Sequence, residues 1–152
     1  EFGTKPVRYG MILSHTFAEL RPVYQGREFV IRFMETAADA LRAAGGLEIR
    51  VKNPFPVIVE FYRQPTRQRE WGDFKRMLTG VAEVDSQWLI LTPQNETALK
   101  FWKDSGIKEF LESSRWIERV LISNEELVVR LRRFESAAVI RQLADRLSRI
   151  QF

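Results

Sequence analysis

Period-two alternation constrains this chain more than any other feature of its sequence. In Leu47-Glu48-Ile49-Arg50-Val51-Lys52 apolar and charged residues trade places at every step, the pattern of a strand with one face in a core and the other in water. Phe29, Ile31 and Phe33 alternate in the same way with Glu28, Val30 and Arg32. Together with the run that starts at Phe17, and with Gln25-Gly26 between them, they predict a hairpin over residues 17 to 34. Residues 57 to 63 are β-branched and aromatic, and a short Asn53-Pro54-Phe55-Pro56 connection predicts that they pair antiparallel with 47 to 52. Residues 81 to 91 read as another strand, bent at Asp85-Ser86. A second hairpin is expected from 117 to 122 and 127 to 132 around Ser123-Asn124-Glu125-Glu126.

The helical signals are fewer. Thr36-Ala37-Ala38-Asp39 resembles a capping box ahead of a short helix over 37 to 44, closed by Gly45-Gly46. Thr92-Pro93 marks a helix start, and Ser105-Gly106 divides the helical run beyond it into two helices, the second over 106 to 113. Ile140, Leu143, Ala144, Leu147 and Ile150 keep helical spacing, with Arg141, Asp145 and Arg149 on the opposite side. This predicts a C-terminal amphipathic helix. The order is ββαββ followed by βααββα. Hairpins with helices between them predict an α+β fold, a mostly antiparallel sheet of about six to seven strands with helices on one face.

At 152 residues, 45% hydrophobic and 29% charged, the chain is expected to form a single domain over residues 5 to 152. The opening Glu1-Phe2-Gly3-Thr4 reads as translated restriction sites, a cloning scar outside that domain. No apolar run reaches the ~20 residues of a membrane helix, so a soluble domain is expected. There are no cysteines, which removes disulfides, thiolate metal sites and cysteine nucleophiles. With 24 Lys+Arg against 20 Asp+Glu, the net charge is only +4, so distribution matters more than excess.

No catalytic, cofactor or metal constellation stands out. His15 is the single histidine and lacks the orienting partner a catalytic imidazole needs, so a structural or surface role is expected. Gly45-Gly46 has neither the spacing nor the Lys-Ser/Thr of a phosphate loop. Glu70 with Asp73, Glu83 with Asp85 and Glu125 with Glu126 match no calcium loop and read as turn and edge carboxylates. Glu83 and Asp85, two apart on the expected strand, would share a face and are the candidates if a carboxylate hydrolase or transferase site exists.

The functional signal with the most chemistry is the irregular stretch 64 to 76, read as a long exposed loop. It interleaves Arg67, Arg69, Lys75 and Arg76 with Trp71 and Phe74, a mixture suited to phosphate contact and stacking on nucleic acid or acidic lipid. The arginines beyond residue 114, Arg119, Arg130 and Arg132 among them, read as dispersed solubilising charge. Trp88, Trp102 and Trp116 fall on apolar faces, where core packing is expected.

Tyr24-Gln25-Gly26-Arg27 before an alternating strand, then Thr79-Gly80-Val81-Ala82-Glu83-Val84-Asp85 before Trp88-Leu89-Ile90-Leu91, resemble a bacterial domain family of unknown function whose members commonly follow transmembrane helices. The likeness continues through the helical stretch from 94 to 113, the second hairpin and the terminal helix. Members commonly show Thr-Gly-Asp-x-x-Phe-Asp at the second block, where this chain has Val81 and Val84, so Gly80 and Asp85 carry over, both as turn determinants. The resemblance implies a soluble domain tethered to a bacterial membrane, and a position on its cytoplasmic face is the accompanying expectation. The leading expectation is a non-catalytic interaction or sensory domain with a protein partner and no cofactor. The alternatives are an anionic-ligand module using the 64 to 76 loop and a carboxylate enzyme at Glu83 and Asp85.

Overall fold

The computed structural model describes residues 8–12, 15–36, 46–133 and 135–152, with side chains for 19–33, 46–133 and 135–152. Its strands are β1 (Arg8–Ile12), β2 (His15–Leu20), β3 (Val23–Tyr24), β4 (Arg27–Thr36), β5 (Gly46–Lys52), β6 (Val59–Arg63), β7 (Lys75–Met77), β8 (Trp88–Thr92), β9 (Ile117–Ile122) and β10 (Glu126–Leu131). The helices are α1 (Ala82–Gln87), α2 (Asn95–Asp104), α3 (Ile107–Glu112) and α4 (Ala137–Ser148). Nine strands succeed one another as β1-β2-β4-β5-β10-β9-β6-β8-β7, and the two-residue β3 pairs with β4 beside that path. Every strand pairing among the described residues is antiparallel. The α+β class and the antiparallel sheet therefore hold, while six to seven strands was too few. The additional ones are β1 and two very short strands, β3 and β7, which leave too few residues to display a period.

Local chemistry accounts for most of these elements. The hairpin turn at Gln25 and Gly26 has both residues at positive φ, 50° and 74°, the geometry that lets two strands meet with matching twist. Gly106 at φ 82° joins α2 to α3 as Ser105-Gly106 predicts, and α4 begins where the Ser136 hydroxyl accepts from Val139 N–H at 3.3 Å. The four helices among the described residues contribute to one core with a single face of the sheet. Val84 comes from α1, Phe101 and Trp102 from α2, Ile107 and Leu111 from α3, and Ile140, Leu143 and Leu147 from α4. They meet Phe29, Ile31, Leu47, Ile49, Val59, Phe61, Ile90, Val120 and Val129. The helix over 37 to 44, its cap, Gly45, the first four residues and the His15 side chain lie outside the described residues, while Gly46 begins β5.

Two expectations fail for identifiable reasons. β6 does not pair with β5, which lies between β4 and β10; β6 pairs with β9 and β8. The connection crosses the end of the second hairpin instead of turning back. Asn53 holds it there, with Nδ2 donating to Ser123 O at 2.6 Å and to Phe55 O at 2.8 Å, while its Oδ1 accepts from Phe55 N–H at 2.8 Å. Residues 81 to 91 are not one strand but α1 followed by β8. Gly80, at φ 86°, turns the chain, and Asp85 reaches back to accept from Thr79 N–H and Thr79 Oγ1, both at 2.8 Å, and from Gly80 N–H at 3.3 Å.

Asp85 consequently has a measurable pH signature. Burial works to raise its pKa, but the Thr79 and Gly80 donors and the Arg76 charge outweigh that and hold it below the usual carboxylate value. A group that binds its proton less readily folded than unfolded stabilises the fold above its unfolded pKa and loses that contribution as pH falls through the folded one. Asp85→Asn is expected to cost about 1–2 kcal/mol at neutral pH, with the gap to the wild type closing below about pH 4. Urea midpoints taken across that range check it; a gap constant down to pH 2 would show the charge to be irrelevant.

Candidate functional site: an arginine cleft on the open sheet face

The sheet face turned away from the helices carries an ordered row of charge. Antiparallel register sets Glu19 opposite Arg32, Arg32 opposite Glu48, Glu48 opposite Arg130, Arg130 opposite Arg119, and Arg119 opposite Tyr62. Signs alternate across the first four residues, as cross-strand pairs prefer. Glu19, almost fully buried, accepts from Arg21 Nε at 2.8 Å and Arg32 Nε at 2.9 Å. Its burial works to raise the carboxyl pKa, and the two guanidiniums overcome this to hold it below the ordinary value. Glu48, also buried, takes Arg50 Nε at 2.5 Å, and Arg50 Nη1 continues to Glu126 at 2.6 Å.

The alternation breaks where Arg130 faces Arg119. Like charges directly opposite are unfavourable, and of the two only Arg130 has carboxylates within 4.0 Å among the described residues, Glu48 at 3.9 Å and Glu118 at 4.0 Å. Among the described residues, Arg119 Nε is the buried side-chain polar atom without a hydrogen-bond partner. Such an atom carries a desolvation cost that no hydrogen bond from the described residues offsets.

These arginines stand in a cleft of about 570 Å³ between the sheet and the segment 65 to 68. Arg63, Arg67, Arg119, Arg130 and Arg132 line it, against Glu48 and Glu118. Arg63 also borders it, with its Nε donating to Ile117 O and its Nη2 to Leu111 O and Ser114 O. Burial, and then the nearby Arg132 charge, lower the Arg63 pKa. Tyr62 closes one side. Burial and then its 2.8 Å bond to Glu60 push its pKa well up, so it stays a neutral phenol at any physiological pH. Arginine does not release its proton in this range; what the cleft can do is hold negative charge.

The residues expected to bind do not converge. Arg67 lies in the cleft, but Arg69 borders an adjacent hollow with Glu70 and Arg76. Trp71, 50% exposed, stacks flat on Phe74 with centroids 4.3 Å apart, so one of its faces is already covered. Lys75 is exposed on β7. Arg76 gives its guanidinium to Asp85 O at 2.9 Å and its backbone N–H to Glu70 Oε2 at 2.7 Å. The stretch is not a free loop either, because β7 pairs with β8 and Trp71 bridges to Phe74. Arg119, Arg130 and Arg132, read from sequence as dispersed charge, are what the fold gathers.

Other candidates are set aside by geometry. Glu83 and Asp85 lie two apart on α1 rather than on a strand, so they do not share a face. No three metal-ligating side chains cluster among the described residues. A hollow of about 590 Å³ between α3 and α4 is bordered by Asp145 and Arg149, which pair with each other at 2.6 Å. Trp88 and Trp102 are core residues, but Trp116 is only half-buried, held between the Arg115 and Arg133 guanidiniums at 4.7 and 4.1 Å from its ring centre.

Fold and site together define an α+β domain with a helix-covered antiparallel sheet and a cationic cleft on its open face. No protein-family model and no curated protein matches this chain. Among solved structures it is similar in fold to the mycobacterial trehalose monomycolate transport factor A, TtfA. The TM-score is 0.63 at 10% sequence identity, over 97% of this chain and 84% of that one. No helix among the described residues is long and apolar enough to cross a membrane.

Proposed function

We propose that this chain is a non-catalytic binding domain whose open sheet face recognises an anionic group, a phosphate or carboxylate, in the arginine cleft. The observation that carries this reading is Arg119, set opposite Arg130 in the sheet with its Nε buried and unpartnered. An oxyanion in the cleft offsets the like-charge contact between Arg119 and Arg130 and gives the Arg119 guanidinium an acceptor that the described residues do not supply to its Nε. Arg67 and Arg132 extend the cation set toward the mouth of the cleft. The anionic-ligand role expected of the 64 to 76 stretch thus moves one layer inward, keeping Arg67 and exchanging its other members for residues of β9 and β10. The family resemblance adds a tether to a bacterial membrane, tested by fractionating cells that express the full-length gene.

Calorimetric titration with pyrophosphate tests the cleft. Binding is expected at low salt and should weaken as salt is raised. Arg132→Ala and Arg67→Ala should each reduce affinity about tenfold, corresponding to the ~1.4 kcal/mol of one weakened charge-assisted contact. Absence of binding at low salt, or equal affinity in both variants and the wild type, would refute the reading.

A further inference from the structure

The arginine cleft does not end at Arg119. A second hollow, of about 240 Å³, adjoins it and shares Glu48 and Arg119 as lining residues. Its apolar walls are Phe74, Leu121, Val128 and Ile58. Leu121 comes two residues after Arg119 on β9 and faces Val128 of β10, so the same sheet face passes from guanidinium to hydrocarbon within roughly 7 Å of strand. The acids at the rim are already engaged. Glu60 accepts from Tyr62 OH and Trp71 Nε1, and Glu126 holds Arg50. Arg50, which also borders the hollow, is held by Glu48 and Glu126, so the larger share of the surface left for a ligand on this side is apolar. The hollow has less than half the volume of the cleft, which suits a short arm and not a second charged head.

Resting on the anion-binding reading, we infer that the ligand is a free anionic amphiphile, an oxyanion head in the arginine cleft joined to a short apolar arm that lies over Leu121 and Val128 beside Phe74. Two adjoining hollows of about 570 and 240 Å³ suit one small head and one short arm, so the ligand enters as a single molecule and not as part of a bilayer.

Hexyl phosphate below its aggregation concentration and inorganic phosphate are the probes, each titrated into the intact chain. Hexyl phosphate is expected to bind at least tenfold more tightly, the effect of burying a few methylenes. Val128→Thr and Leu121→Gln should each erase most of that advantage while leaving inorganic phosphate affinity unchanged, and that unchanged affinity shows each variant to be folded. Equal affinity of the two probes overturns this inference and leaves the anion site standing. Failure of both to bind overturns the inference and the anion site together. Co-sedimentation with phosphatidylglycerol vesicles that hexyl phosphate cannot displace would assign the surface to a membrane and also overturn the inference.

Discussion

Arg63→Met is expected to cost about 3 kcal/mol of stability, although Arg63 contacts the candidate cleft. Its fork spans three carbonyls. Nε donates to Ile117 O at 2.7 Å, and Nη2 donates to Leu111 O at 3.2 Å and Ser114 O at 3.1 Å. Leu111 lies in the last turn of α3, where carbonyls have no partner within the helix. The guanidinium also lies over the Trp88 ring, 4.4 Å from its centre. One side chain thereby ties the end of α3, the start of β9 and the first residue of β8 to β6. Bonds from a charged donor contribute about 1.5–3 kcal/mol each and do not add in full. Methionine keeps the packing and leaves the carbonyls unsatisfied, while Arg63→Lys keeps the charge but cannot reproduce the planar fork. The urea midpoint should fall in the order wild type, Arg63→Lys, Arg63→Met at constant m value. A methionine variant within 0.5 kcal/mol of the wild type, inside the ordinary surface range, would show these bonds to be replaced by water.

Arg119→Met is expected to act in the opposite direction on stability while removing binding. In the free protein Arg119 has a buried unpartnered Nε and a like charge across the strand pair. An apolar side chain of similar length should therefore stabilise the chain by about 1 kcal/mol. The same change takes away the donor at the junction of the two hollows, so pyrophosphate affinity should drop more than tenfold. Melting curves with and without pyrophosphate separate the two effects. The variant should melt higher than the wild type alone and gain less from the same ligand concentration. A variant that melts lower without ligand would show that the Arg119 charge is already compensated in the free chain. Gains in stability that cost function are the expected mark of a site held in an unfavourable state for its ligand.

Elements were legible in the sequence wherever one local signal was enough. Gln25-Gly26, Ser105-Gly106, the hairpin turn at 123 to 126 and the heptad-like spacing of α4 each determine their own structure. Pairing was less legible, because Asn53 sends the chain across the second hairpin by bonding to residues about seventy positions away. β8 shows no alternation, for both of its faces are buried. Trp88 and Ile90 join the main core, while Leu89 and Leu91 pack with Tyr62 and Phe74 on the other side. α1 is too short to show a period. The site was hidden for a different reason. Its arginines come from three separate stretches, and charge read along the chain looks dispersed. Yet the second hairpin was expected, and counting outward from its turn would have set Arg119 opposite Arg130. The charge of this site is organised across strands and not along them.

The Glu70 carboxylate has a further role that concerns other molecules. β7 lies at one end of the strand order, and the N–H of its middle residue, Arg76, is already taken by Glu70 Oε2. An open sheet margin is a template on which a neighbouring chain can polymerise. Here the central rung of that template is occupied from within, beside the charged side chains of Lys75 and Arg76. An arriving strand would have to displace a carboxylate before it could form its first complete set of bonds. The protein can thus keep a wide sheet with one face turned away from the helices without that margin becoming a seed for aggregation.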